Sequence, residues 1–599
     1  MASELRGEWS VSLRHPPNKV WPIVSDTGRF NEMSGLPRYE LTETPQPDGS
    51  VRRVAQGKVA RTDIRWEELP VEWVAEQYFF QRRLFLNGPL RRMDAELRLA
   101  PEAEGAKATY RLTVESRTPV IGPYVARRLL KGAGETFARA VQGADEYLTH
   151  LQPTAFELGA PLLKPGAEKR VMDIAEYLHS GPYDHGLSGR LVKHVLLAPD
   201  ADACRIRPKA LARDWGAPPR HVIELCLAAV RSGMLRLTWD LLCPRCRGAK
   251  ISAERLDQLR QKAHCPSCNI DYGADFNRNV ELVFHPSAMV RECETGEYCL
   301  SGPQTTPHVL IQQSLAPGES RRIGAGLSPG DYRLRTFSRG AERDITFSGE
   351  KWPEISLTPD GFITGDEAGE GEIRLVNAMG SPMTLVIESR DWTADALTAH
   401  QVTALQSFRH LFPDEVLHGG EELAIDSIAI LFTDLQGSTA LYREIGDGPA
   451  YQRVREHFEF LIEIVRAHDG ALVKTIGDAV MAVFVSPHQA LRAALSVQEK
   501  ISGFNHAHEE TAVSINMGLH CGRCIVVNLN DRLDYFGSTV NLAARLQGQS
   551  REGDIVLSEE IANDPLVSPM LERLSWVRET MPLKGIAKPV SFRRIAGKS

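Results

Sequence analysis

"IAILFTDLQGST", Ile428–Thr439, is the stretch on which the reading of the C-terminal part of the chain turns. The apolar run from Ile428 to Phe432 reads as a buried strand. Asp434 follows almost at once, then Gly437 and the hydroxyls of Ser438 and Thr439. A buried strand that runs into a carboxylate and a tight polar turn holds that carboxylate rigidly. It also offers backbone N–H groups and the next helix's N-terminus to an anion such as phosphate.

Downstream, the pattern continues as a helix through "YQRVREHFEFLIEIVRAH" (451–468) and strands "ALVKTI" (471–476) and "AVMAVF" (479–484). Gly477-Asp478 joins the two strands as a two-residue hairpin turn. A second helix, "PHQALRAALSVQEKI" (487–501), leads to the strand "VSINMGLH" (513–520). This β-α-β-β-α-β order predicts a ferredoxin-like fold. There the first strand lies beside the hairpin, so Asp434 and Asp478 converge. Two adjacent carboxylates repel unless a cation lies between them, and hard oxygen ligands suit Mg²⁺ or Mn²⁺. In "DYFGSTVNLAARL" (534–546), Ser538 or Thr539 can cap a helix that carries Asn541 and Arg545 at i and i+4. An amide and a guanidinium on one face suit a sugar oxygen and a transferring phosphoryl group.

With these residues in place, the segment 425–599 resembles the catalytic domain of class III nucleotidyl cyclases. The matching stretches are "ILFTDLQGST", "VKTIGDAVMAVF", "GLHCG", "DYFGSTVNLAARL" and "PLKGIAKPV". The resemblance implies that Asp434 and Asp478 bind two Mg²⁺ or Mn²⁺ ions per active site. It implies that Lys474 and Asp534 read adenine, that Asn541 orients the ribose and that Arg545 stabilises the transition state. Lys584 would hold the terminal phosphates. Such a domain converts ATP to 3′,5′-cyclic AMP and pyrophosphate, in a site shared across a homodimer. The run between "GLHCG" and "DYFG" is shorter than the family's and lacks its Gly-rich stretch, and Asp531 lies near Asp534. "CGRC" (Cys521, Cys524) reads as an incidental pair on a hairpin, where redox sensitivity is the alternative.

Upstream, the chain predicts a multidomain α+β protein, with about four domains by length. Residues 1–150 carry the strands "WVAEQYFFQRRLFL", "RRMDAELRLA" and "ATYRLTVESR", then the helix "PYVARRLLKGAGETFARAVQGADEYL" with Pro123 near its start. "VWPIVSDTGRFNEMSG" reads as a short helical segment and a loop. The pattern is similar to the START-like (helix-grip, polyketide-cyclase-type) family, which implies a cavity for an apolar ligand or a site for a regulatory protein. The alternative is a cavity filled by side chains.

Residues 151–290 are mostly helical. "RPKALARDWGAPPRHVIELCLAAVRSGMLRLTWD" has the outline of a winged helix, but its would-be recognition helix is apolar and predicts a packing module. Cys243, Cys246, Cys265 and Cys268 follow as C-x2-C-x18-C-x2-C, the spacing of a closed structural zinc ribbon. Residues 295–392 alternate short strands ("HVLIQQSLA", "YRLRTFS", "EIRLVN", "MTLVIESR") with Gly, Pro and Asp turns and predict a small β-sandwich. Residues 393–424 hold one linker helix, "TADALTAHQVTALQSFRHLF", with Thr393 as N-cap.

A net charge of -7 gives no electrostatic reason to expect nucleic acid as a partner. No apolar run reaches the ~18 residues of a membrane span, and "MASELRGEWSVSL" has no signal-peptide core. These features predict a cytoplasmic protein, whose ten cysteines serve as metal ligands or core residues rather than a disulfide framework. The readings are an adenylate cyclase under upstream control, a silent nucleotide-binding scaffold, a cyclase that uses GTP, or, through the winged-helix-like segment, a transcription factor.

Overall fold

The computed structural model describes residues 4–597, except 37, 47–49, 60–61, 150–153, 260–261, 294–301, 325, 350, 368–370, 391–394, 418–421, 507–511, 531 and 587. Among the described residues no helix is long and apolar enough to cross a membrane.

Strand Gly105–Ser116 shows how the N-terminal sheet is made. Ala106, Ala108, Tyr110, Leu112 and Val114 alternate inward with period two. The long helix Ile121–Leu148 packs on that face. It does so through small residues: a Cβ on Gly134 would fall 2.4 Å from Trp9 Nε1. Tyr110 stacks on Phe137 at 5.4 Å and on Trp9 at 6.1 Å, and Phe30 tilts against it at 5.4 Å. Aromatic rings therefore fill the space between sheet and helix, and burial pushes the Tyr110 hydroxyl up to about 12.

Several local expectations need correction. "WVAEQYFFQRRLFL" is not one strand. It breaks into Glu72–Val74 and Tyr78–Phe85 around Glu76, whose φ is +65°. The opening helical segment is two helices, Pro17–Val24 and Thr27–Met33. Strands Glu4–Leu13, Tyr39–Pro45, Val51–Val59 and Thr62–Glu68 carry so many charges that they do not read as strands in the sequence.

The strands of 309–389 lie in two sheets, not in a separate small sheet pair. One layer is Ser320–Gly324, Glu372–Asn377, Pro353–Thr358 and Gly361–Glu367. The other begins with Val309–Leu315, which pairs with Glu72–Val74 and so extends the N-terminal sheet. Backbone pairing crosses the expected boundary between 1–150 and 295–392.

In the middle region, helix Pro219–Arg231 buries Val222, Ile223, Leu225, Cys226 and Leu227, as a packing module requires. Strands Leu235–Leu242 and Val280–Pro286 pair antiparallel, and the cysteine-bearing segment is inserted between them. Cys204 and Cys293 form a disulfide, contrary to the expectation of metal-bound or core thiols. The Ile206–Phe284 bridge brings the two chain segments together, a contact that sequence spacing does not reveal.

The linker helix is also broken. Helix α1 (Ala399–Thr403) starts with a capping box between Thr398 and Gln401, and α2 (Gln406–Leu411) follows. Thr393 lies outside the described residues. Phe408 is 1 % exposed and meets the Trp239 ring edge-on at 6.0 Å. Removing such a ring costs about 3–5 kcal/mol.

The C-terminal domain comprises β1 (Glu422–Gln436), α3 (Ser438–Ile445), α4 (Asp447–Ala467), β2 (Gly470–Ile476), β3 (Ala479–Phe484), α5 (Pro487–His506), β4 (Ser514–Leu529), β5 (Arg532–Phe536), α6 (Ser538–Gln547), β6 (Ile555–Ser558), β7 (Trp576–Met581) and β8 (Val590–Ile595). The sheet order is β2-β3-β1-β4-β6-β8-β7, with β5 paired to β4. Its first half is the expected ferredoxin-like arrangement. Ala429, Leu431 and Leu435 face α4 and α5, whereas Ile428, Ile430 and Phe432 join a core shared with the middle region and the linker. Burial on both faces is why β1 reads as an unbroken apolar run. Buried Glu224 binds this domain to the middle region: it accepts from His185 Nε2 at 2.7 Å and Arg220 Nε at 3.2 Å, and Arg220 reaches Asp469 at 3.3 Å.

Candidate active site

Asp434 lies within β1 rather than beyond it, opposite Asn516 of β4. β1 also pairs with β3, Thr433 opposite Val480, so the Gly477-Asp478 turn closes beside Asp434. Gly477 adopts φ +65°, the left-handed conformation this turn requires. Burial first, then the charge of Asp478, hold the Asp434 carboxyl above the usual aspartate range. Asp478 Oδ2 is buried with no hydrogen-bond partner among the described residues. Like charges with an orphaned buried carboxylate oxygen fit a hard divalent cation.

His457 of α4 is a residue that sequence reading missed. It is fully buried, and burial pushes its imidazole down to about 4, against the opposing charge of Asp478. The available signal was a histidine on the apolar face of α4, between Val454 and Leu461.

Lys474 follows a bulge in β2, where the register to β3 shifts between Leu472 and Lys474. Asp534 sits on β5 opposite Val527 and is 5 % exposed. Lys474 Nζ donates to Asp534 Oδ2 at 2.6 Å, and Tyr535 N–H donates to Oδ1 at 2.8 Å. The Lys474 ammonium also lies 5.7 Å from the Phe536 ring centroid. Asp531 lies outside the described residues.

Helix α6 opens at Gly537, φ +137°, and buries Thr539, Ala543 and Leu546 at helical spacing. Asn541 and Arg545 are therefore exposed on another face. Among the described residues Arg545 makes no ion pair or hydrogen bond, so none joins it to Asp434 or Asp478 within the protomer. Leu583 packs against Leu546, which brings exposed Lys584 and its loop next to α6.

Cys521 and Cys524 are not on a hairpin but inside the continuous strand β4. Their odd spacing sends them into different cores, so they share no site. Burial raises their thiols to about 11 and about 12.

The sulfurs of Cys243, Cys246, Cys265 and Cys268 lie within 4.8 Å of one another. Each knuckle ends in a left-handed residue, Arg247 (φ +56°) and Asn269 (φ +51°). Contact with Cys243 holds the Cys265 thiol below its usual range. Four converging sulfurs fit a tetrahedral soft-ligand metal site.

The C-terminal domain thus brings together a carboxylate beside a hairpin-turn carboxylate, an ion-paired lysine and aspartate, and a helix carrying an exposed Asn and Arg. Residues 421–588 match the adenylate and guanylate cyclase catalytic domain family. Residues 6–144 match the polyketide cyclase / dehydrase and lipid transport family, and residues 183–299 a family of unknown function. Adenylate cyclase 1 of Rhizobium meliloti is 30% identical over 148 residues, 22% of each chain. The adenylate cyclase of Lachancea kluyveri is 32% identical over 184 residues, 27% of this chain and 10% of that one. The chain thus spans less than a quarter of the length of these relatives. The solved adenylyl cyclase CyaB from P. aeruginosa is 22% identical, with 30% of this chain and 97% of that chain covered and a TM-score of 0.27.

Proposed function

We propose that this protein is an adenylate cyclase that makes 3′,5′-cyclic AMP and pyrophosphate from ATP in a homodimer. The observation that carries this reading is the Lys474–Asp534 pair at 2.6 Å. Asp534 accepts from the exocyclic amine of adenine, and Lys474 donates to a ring nitrogen. Guanine would present a carbonyl to the Asp534 carboxylate, a buried mismatch of the kind that rejects a substrate by about 10⁴-fold. Base entry exchanges the Lys474–Asp534 contact for two contacts to the ring.

Asn541 orients the ribose, so that its 3′ oxygen bonds to the α-phosphorus as the bond to pyrophosphate breaks. Arg545 offsets charge on the α-phosphoryl oxygens, and Lys584 holds the terminal phosphates. Asp434 and Asp478 would hold two Mg²⁺ or Mn²⁺ ions, which when bound lower the pKa of the 3′ hydroxyl and neutralise the triphosphate. The resemblance to class III cyclases, in which the aspartates and the Asn/Arg helix come from different copies, supports a site completed by a second copy.

The test is cyclic-nucleotide production by the purified chain, with ATP or GTP and with Mg²⁺ or Mn²⁺. The expected result is a kcat/KM at least about 10²-fold higher for ATP, which Asp534→Asn erodes. Equal use of GTP would replace the adenine reading with a mixed-specificity cyclase. Nucleotide binding without turnover, in the full chain and in residues 425–599, would favour the silent scaffold.

Upstream, the four cysteines are read as a structural Zn²⁺ site. One zinc per chain is expected by metal analysis, and Cys265→Ser should lose it and lower Tm. A zinc-free chain with unchanged melting would remove the metal from this reading. The N-terminal domain is a candidate sensor, and its aromatic filling supports a regulatory protein over an apolar ligand as partner. The sandwich is a docking surface or spacer.

A further inference from the structure

Helix α2 lies where two sets of contacts meet. On its upstream side Phe408 packs on Trp239, and His410 Nδ1 and the Tyr183 hydroxyl are hydrogen-bonded at 3.0 Å. On its downstream side Gln406 Oε1 accepts from the Leu472 backbone N–H at 2.8 Å. Arg409 donates through one NH group to the Leu533 carbonyl at 3.0 Å and through Nε to the Thr403 carbonyl at 3.0 Å. Its guanidinium lies 5.5 Å from the Tyr535 ring centroid.

The two backbone partners have special positions. Leu472 borders the bulge that ends at Lys474, on a strand at the edge of the sheet. A bulged edge strand leaves N–H groups outside the ladder, and Gln406 satisfies one of them. Leu533 directly precedes Asp534 on β5, a five-residue strand paired only with β4 among the described residues. β5 is held by one short ladder and by the burial of Leu533 and Tyr535, and Arg409 adds a tie from its backbone to the linker. Gln406 and Arg409 are about one helical turn apart, so a single rigid turn spans both strands.

We infer that α2 is a positioning element: Gln406 and Arg409 together set the separation of Lys474 and Asp534, so that upstream packing on Phe408 and His410 tunes base discrimination. This rests on the reading of Lys474 and Asp534 as the base-recognising pair. Gln406 and Arg409 bond to backbone groups of the flanking strands and linker. Their effect is on how well two other side chains match the purine edge.

The test compares full-length Gln406→Leu, Gln406→Glu and Arg409→Met with wild type and with Asp534→Asn. Two quantities are read: the ATP-over-GTP ratio of kcat/KM, and the affinities for mant-ATP and mant-GTP, which need no turnover. Gln406→Leu and Arg409→Met should each lower both ratios about five- to tenfold. Gln406→Glu should keep most of the discrimination, because the Leu472 N–H needs only an acceptor. Arg409→Met retains the stem over Tyr535, and if it fails to fold Gln406→Leu decides alone. Equal loss for both nucleotides with intact ratios would reduce α2 to a structural prop and overturn the inference. So would unchanged ratios in both linker variants beside a collapse in Asp534→Asn. If Asp534→Asn itself leaves the ratios intact, the base-reading pair is misassigned and the inference falls with it.

Discussion

Asp478→Ala is expected to abolish cyclic-nucleotide formation while raising the melting temperature of the metal-free protein. The two effects have one cause. Asp434 and Asp478 lie close enough for the charge of Asp478 to help raise the Asp434 carboxyl, and Asp478 Oδ2 has no hydrogen-bond donor among the described residues. Without metal this is a like-charge contact in a partly buried place, which opposes folding. With metal it would become the ligand set, and its loss should cost about 10³-fold in turnover.

The sign of the pH dependence follows from Asp434, whose folded pKa is raised. Such a group favours the folded state below its unfolded value and loses that contribution as pH rises through the folded value. Asp478→Ala, measured in EDTA, should therefore gain most over wild type near neutral pH, with the gain shrinking as pH falls toward the ordinary aspartate range. Added Mn²⁺ should reverse the order, because a ligand at 100 times its Kd stabilises the wild type by about 2.7 kcal/mol. Retained activity in Asp478→Ala, or a Mn²⁺-induced shift equal to that of wild type, would remove Asp478 from the metal site.

The second large effect is complementation between two dead variants. Asp478→Ala and Arg545→Ala should each be inactive, the latter by about 10²–10³-fold. Among the described residues no hydrogen bond or ion pair joins Arg545 to either aspartate. If each site takes its aspartates from one copy and its Arg545 from the other, a mixed dimer has one doubly damaged site and one intact site. Equal amounts, mixed at random, form mixed dimers half of the time, so about one quarter of wild-type sites should reappear. The recovered rate should rise with total protein concentration, as for any associating pair. Silence in the mixture, with dimers present by sedimentation, would mean that each site is built within one chain.

Much of the catalytic domain was legible because its functional residues sit at points where backbone geometry is strongly specified. The run Ile428–Phe432 is apolar on both faces, so its strand character survives in any context. The Gly477-Asp478 turn needs a left-handed residue, and glycine marks it. Asn541 and Arg545 share a helix face through spacing alone. The four-cysteine cluster is equally local in origin, since each knuckle is a tight turn and only their meeting is long-range.

The failures have a common physical cause. Strands Glu4–Leu13 and Val51–Val59 are held by ladder partners, with few residues fully buried, and their charged residues blur the pattern. The linker reads as one helix because propensity is additive along the chain. The capping box at Thr398 delays its start, and extended backbone at Leu405 (ψ 132°) divides it in two. No spacing rule pairs Cys204 with Cys293 or joins Val309–Leu315 to Glu72–Val74, because both contacts close over long stretches of chain.

By itself, then, the sequence determined the element order of the C-terminal domain, the approach of Asp434 to Asp478 and the cysteine quartet. These depend on local periodicity, turn chemistry and residue type. Tertiary structure alone decided that Asp534 meets Lys474, that His457 lies beside Asp478, and that Gln406 and Arg409 hold the strands bearing the Lys474–Asp534 pair. Those contacts depend on register and on docking between distant segments, where a shift of one residue or one ångström changes the partner without changing any local pattern.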